Sequence, residues 1–162
     1  MNKLCILGAV MSILHGIEVQ GHRGTSVSHE ITIPAFQKAF ELGANSVELD
    51  VQVSKDNVVF VAHDAWVEID GARVPVRDCS YQEIKKLGID QTYNPRLIDV
   101  LLCMQHYYPR IIDIEIKSDA QSTLDPERLV ENVLADVHVV NCNPSQIRFR
   151  SFDPEVLGLI RQ

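Results

Sequence analysis

Between residues 46 and 53 apolar and polar side chains alternate without a break. Val47, Leu49, Val51 and Val53 fall on one side, Glu48, Asp50 and Gln52 on the other. A period of two predicts a β-strand with one apolar and one acidic face. The run Val58–Ala62 predicts a second strand, joined to the first by a turn at Ser54-Lys55-Asp56-Asn57 and ending at His63-Asp64. From Ile111 to Lys117 the alternation returns, with Ile112, Ile114 and Ile116 opposite Asp113, Glu115 and Lys117. Ile17–Gln20 and Ile147–Phe152 bring the predicted strands to five.

Helical spacing fills the intervals. Ile33, Phe36 and Phe40 repeat at three and four residues behind a Thr32 N-cap, with Pro34 in the first turn and Gly43 as the stop. Ser80 and Glu83 form a capping box for a short helix through Leu87. Asn94-Pro95 opens a helix whose Leu97, Val100, Leu101 and Met104 share a face. Asp125-Pro126 and Asp153-Pro154 open two more, the last running to Gln162, and Asp70-Gly71 marks a hairpin turn in an excursion over 66–76. Strand alternating with helix predicts an α/β chain with a parallel sheet and right-handed crossovers.

Charge narrows the partners. A net charge of −7, with no basic run, excludes a nucleic-acid backbone, whose binding needs clustered Lys and Arg. No apolar stretch reaches the roughly 20 residues that span a bilayer. Residues 1–16 have the shape of a secretory signal, Lys3 preceding an apolar run from Leu4 to Leu14. That reading implies a secreted or periplasmic protein beginning near Ile17. The alternative is a buried N-terminal helix closing the bottom of a barrel in a cytoplasmic protein. Cysteines have no C-x-x-C spacing, so neither a zinc site nor a thioredoxin-like pair is indicated.

Candidate chemistry gathers on the acidic face. Glu48 and Asp50, one pleat apart, lie roughly 7 Å from each other by strand geometry, within reach of one metal ion. A strand on a protein surface gives the same alternation. His63 and Asp64 sit at a strand-to-loop edge, where α/β enzymes keep their reactive groups. Gly21-His22-Arg23-Gly24 sets two glycines around a histidine and an arginine, allowing a sharp turn and close backbone approach to a ligand.

In order along the chain stand Gly21-His22-Arg23-Gly24, Glu30-x-Thr32-x-x-Ala35-Phe36, Glu48-Leu49-Asp50-Val51, His63-Asp64, Glu115-Ile116-Lys117 and Ser151-Phe152-Asp153-Pro154. This ordered set resembles the glycerophosphodiester phosphodiesterase family, from about Ile17 to the end. The resemblance implies a TIM barrel that hydrolyses glycerophosphodiesters to an alcohol and glycerol 3-phosphate with a divalent metal ion. It further implies metal ligation by Glu48, Asp50 and Glu115, whose hard oxygens suit Mg²⁺ or Ca²⁺, and an acid–base pair in His22 and His63. Arg23 offers a planar fork of donors to phosphate. Lys117 adds a point charge there or serves as a structural ion-pair partner of Glu115.

Two departures from the family pattern stand out locally: His29-Glu30-Ile31-Thr32 where Pro-Glu-Asn-Thr is usual, and Arg150 before Ser151. The third is length. An eight-stranded barrel takes about 250 residues. The expectation is therefore an incomplete TIM-type barrel of about five of eight βα units over 17–162. A sphingomyelinase-D-like phospholipase and a non-catalytic remnant are the rival readings.

Overall fold

The computed structural model describes residues 17–87, 93–117 and 126–161. The expected signal over 1–16 and the Asp125 cap lie outside them. Strand β1 is Gln20–His22, β2 Ser46–Val53, β3 Val59–Val61, β4 Trp66–Ile69, β5 Ala72–Pro75, β6 Ile111–Ile116 and β7 Ile147–Arg150. Helix α1 is Ile33–Glu41, α2 Tyr81–Leu87, α3 Leu97–Met104, α4 Pro126–Val140 and α5 Pro154–Ile160.

The main sheet has the order β1-β2-β6-β7, every neighbour parallel, with β3 paired antiparallel to the outer half of β2. The five expected strands are present, but they are not all βα units. Ser54–Asn57 is too short for a crossover, which takes a dozen residues or more, so β3 returns as a hairpin limb. The four strands β1, β2, β6 and β7 run parallel.

The first strand also lies elsewhere than expected. Instead of 17–20 it covers 20–22, because Asn45 and Ser46 spend their backbone N–H groups on the Val19 carbonyl and the ladder with β2 begins only at Gln20. This moves His22 onto the strand. Asn94-Pro95 likewise precede their helix: Asn94 Nδ2 donates to the Val61 carbonyl and the Pro95 carbonyl accepts from Val61 N, so α3 starts at Leu97.

Helices cover one face. Val47, Leu49, Val51 and Val53 of β2 and Ile112, Ile114 and Ile116 of β6 form one core with Phe36 and Phe40 of α1, Leu97, Val100, Leu101 and Met104 of α3, Leu129, Val130 and Val133 of α4, and Val156 of α5. Each large aliphatic side chain buried there contributes about 1.5–3 kcal/mol. The opposite face carries Gln20, Ser46, Glu48, Asp50, Gln52, Asp113, Arg148 and Arg150. On it Arg148 donates to Asp113 and reaches Glu18, just ahead of β1, while Gln20 donates to Asp113. Flat, β1 and β7 would stand roughly 14 Å apart. The pairing of Arg148 with Glu18 shows that the sheet curls around this polar face, as a barrel wall does. A smaller core of Phe60, Ala62, Val76, Cys79 and Ile84 seats the β4–β5 hairpin and α2 beside it.

Candidate active site

Strand register assembles the site. His22 pairs with Glu48 across β1–β2, and Asp50 pairs with Glu115 across β2–β6. One pleat separates Glu48 from Asp50, so the three carboxylates meet on the polar face near the C-terminal ends of their parallel strands. Each offers an oxygen, and these oxygens all lie within 4.8 Å of one another.

The Gly21–Gly24 turn carries the next two side chains. Gly24 has φ +91°, and a Cβ there would stand 2.8 Å from the Ala35 backbone. At Gly21 a Cβ would stand 2.5 Å from the Gly24 carbonyl oxygen. Only glycine permits this packing against α1. The turn holds Arg23 so that its backbone N–H donates to Glu48 Oε2 at 3.1 Å, while Arg23 Nε lies 3.4 Å from Asp50 Oδ2. That second contact is an ion pair without hydrogen-bond alignment. His22 Nε2 stands 3.8 Å from Glu48 Oε2 with most of its ring in solvent.

Lys117 follows β6 and sits among the acids, Nζ 3.1 Å from Asp50 Oδ1 and 3.7 Å from Glu115 Oε1. His63 follows β3. Its Nδ1 is 2.7 Å from Asp64 Oδ1, and its carbonyl accepts from Gln52 Nε2.

Charge on this face is not settled by the protein alone. Glu48 is 1% exposed and Asp50 2%. Burial, first, and the Asp50 carboxylate, second, push Glu48 above its ordinary value, against the pull of the Arg23 N–H and His22. Glu48 Oε1, Asp50 Oδ2 and Arg23 Nε are buried with no hydrogen-bond partner. Orphaned carboxylate oxygens this close together suit a hard divalent cation, and the arginine edge beside them suits an anion.

Six of the seven residues singled out in the sequence are therefore linked at one end of the polar face, His22 and Arg23 touching Glu48, Arg23 and Lys117 touching Asp50, and Lys117 touching Glu115. His63 joins them through a cavity that it lines together with Arg23. Two further residues, placed in the sequence without a role, gain one here. Gln52 is fully buried on the same face with Oε1 unpartnered, and Asp64 fixes the His63 ring. The alternation that places Glu48 and Asp50 inward places Gln52 there too, and Asp64 is His63's chain neighbour.

The family model for the glycerophosphoryl diester phosphodiesterase family matches residues 22–162. An uncharacterised Bacillus subtilis protein is 33% identical over 153 residues, covering 88% of this chain and 60% of its own length. A glycerophosphodiester phosphodiesterase of Caldanaerobacter subterraneus is 46% identical over 71 residues, 43% of this chain and 29% of that protein. Among solved structures, a glycerophosphodiester phosphodiesterase from Thermotoga maritima superposes with a TM-score of 0.69 at 35% identity, over 87% of this chain and 56% of that one. The chain thus spans less than two thirds of the length of these relatives.

Proposed function

Because the chain belongs to the glycerophosphoryl diester phosphodiesterase family, we propose that its site hydrolyses glycerophosphodiesters to an alcohol and glycerol 3-phosphate. The observation that carries this reading is the convergence of three carboxylates, two with orphaned buried oxygens, between an arginine and two histidines. Glu48, Asp50 and Glu115 would hold Mg²⁺ or Ca²⁺, an ion that neutralises phosphate charge and acidifies an oxygen bound to it.

The remaining work falls to side chains. Arg23 donates to a non-bridging phosphate oxygen, and Lys117 adds a positive charge that shifts between the carboxylates and the phosphate. One histidine takes a proton from the attacking oxygen as its bond to phosphorus forms. The other gives a proton to the alcohol oxygen as the phosphorus–oxygen bond breaks. Asp64 occupies Nδ1 of His63, so proton exchange with substrate falls to Nε2 there. His63, which lines the cavity beside Arg23, serves the departing alcohol, and His22 serves the attacking oxygen.

The test is release of glycerol 3-phosphate from glycerophosphocholine over hours at high protein concentration. Release should require Mg²⁺ or Ca²⁺ and vanish in His22→Ala and in His63→Ala. Release that persists with chelator, or in both variants, would overturn the reading. Export belongs to the same proposal, with residues 1–16 as a cleaved signal. Fractionated cells should then hold a mature chain starting near Ile17 outside the cytoplasm.

A further inference from the structure

The cavity beside His63 has a volume of about 410 Å³, and its walls differ in character. Arg23, in contact with Glu48 and Asp50, and His63 both line it. Phe60, Trp66, Tyr93 and Ile31 form much of the rest. Trp66 comes from the β4–β5 hairpin, Tyr93 from the segment before α3 and Ile31 from the loop before α1, none of which supplies a carboxylate or histidine to the site.

Ile31 has φ +62°. A β-branched residue in the left-handed region is a genuine outlier, whereas Asn or Gly accepts that conformation readily. The backbone is nonetheless pinned there, because Ile31 N donates to the Arg23 carbonyl at 3.0 Å. The turn that places Arg23 therefore dictates the conformation at 31, and an ill-suited side chain occupies it on the cavity wall. Apart from Arg23 and His63, which the phosphate and the departing oxygen claim, the polar groups nearby are largely engaged. Asp64 is bonded to His63, Asn94 Nδ2 to the Val61 carbonyl, and Tyr93 faces His29. Trp66 is braced by the Arg73 guanidinium, 4.0 Å from its ring centroid.

We propose that this cavity seats the departing alcohol, and that Ile31 and Trp66 make it select a methyl-rich cationic head, of the trimethylammonium type, over a hydroxyl-rich one. The proposal rests on the phosphodiesterase reading above. A polyol entering here brings hydroxyls that find few unengaged partners, and each left unpaired costs binding. A quaternary ammonium brings no donors, packs its methyls on Ile31 and the indole, and places its charge near aromatic rings and the Asp64 carboxylate.

Calorimetric titration of the 162-residue protein with glycerophosphocholine and with glycerophosphoinositol, in Ca²⁺, tests this. The expected result is about tenfold tighter binding of the choline diester, a ratio that falls below about threefold in Ile31→Asn and in Trp66→Leu. Ile31→Asn should melt no lower than the parent. A purely structural role for either residue would weaken both ligands alike, and an unchanged ratio in both variants overturns the proposal. Equal affinities in the parent overturn it as well. Inorganic phosphate in Ca²⁺ separates the two claims: if phosphate binds but the diesters are not discriminated, only the alcohol seat fails, whereas no phosphate binding sinks the underlying reading too. Should Ile31→Asn melt lower, the Trp66→Leu ratio decides.

Discussion

Glu48 carries the largest conflict of any single residue at the site. In the unfolded chain its carboxyl ionises near the ordinary 4.5, whereas in the fold burial and Asp50 raise it. The folded protein then holds this proton to higher pH than the unfolded chain does, so the contribution to stability is lost as pH rises through the window above 4.5. Metal-free melts should therefore decline across that window, and Glu48→Gln should flatten the decline and melt higher than the parent at neutral pH. With Mg²⁺ or Ca²⁺ the order should reverse. Substituting a ligand should cost more than the roughly 10–100-fold in affinity lost with an outer partner. A variant that melts lower than the parent in chelator would refute the first part, and one that binds metal equally well the second. The glycines make a second residue-scale contrast. Gly24→Ala combines φ +91° with a backbone clash and should cost about 1–3 kcal/mol beyond the strain of its dihedral. Gly43→Ala, at φ +100° with nothing within 4 Å, should cost only about 1 kcal/mol. Urea titrations of the pair measure the difference.

Elements whose chemistry is local were legible in the sequence. Strand β2 matches its alternation residue for residue, the Ser80–Glu83 box closes as expected with Ser80 N donating to Glu83, and Asp70 and Gly71 both take the positive φ of a tight hairpin turn. What depends on a partner strand was not. The limits of β1 follow from where Asn45 and Ser46 place their N–H groups, and the register of β3 from its pairing of Val51 with Val61. The site was half legible for the same reason: Glu48 and Asp50 sit one pleat apart, but bringing Glu115 beside Asp50 needs the β2–β6 register. Least visible was the brace across the polar face. Asp113, 0% exposed, accepts from Arg148 and Gln20, with Arg150 3.4 Å away, and Arg148 also reaches Glu18. Arg148→Met keeps most of the aliphatic stem but leaves Asp113 short of its best donor. The expected loss is about 1–3 kcal/mol in urea unfolding, moderated because Arg148 is itself half-exposed and Arg150 remains. A loss under about 0.5 kcal/mol, the ordinary scatter of a surface change, would show that the brace does not hold the curl.

At the scale of the molecule, four parallel strands make an arc rather than a ring. Among the described residues the sheet ends at β1 on one side and β7 on the other, each with an outer edge that no described strand pairs. Unpaired edges template association, and barrels remove them only by closing. Apolar side chains stand beside both edges: Ile17 and Val19 ahead of β1, and Phe152, 93% exposed, just after β7. Phe152 also borders the site, since Glu115, Arg150 and Ser151 share a small cavity with it. A polypeptide of these 162 residues, purified alone, should therefore self-associate through those edges while keeping its ligand set together. Its catalysis should be poor, because among the described residues no strand pairs the outer edge of β7 to hold the Arg150 side of the face in place. A displacement of about 1 Å can cost on the order of a hundredfold in rate. Light scattering alongside the glycerol 3-phosphate assay measures both halves of this expectation. Light scattering should show species larger than a monomer, and turnover should fall at least a hundredfold below the enzyme median of roughly 10 per second. A soluble monomer turning over near that median would mean that the arc holds its site as rigidly as a closed barrel, and that edge closure contributes nothing to the chemistry.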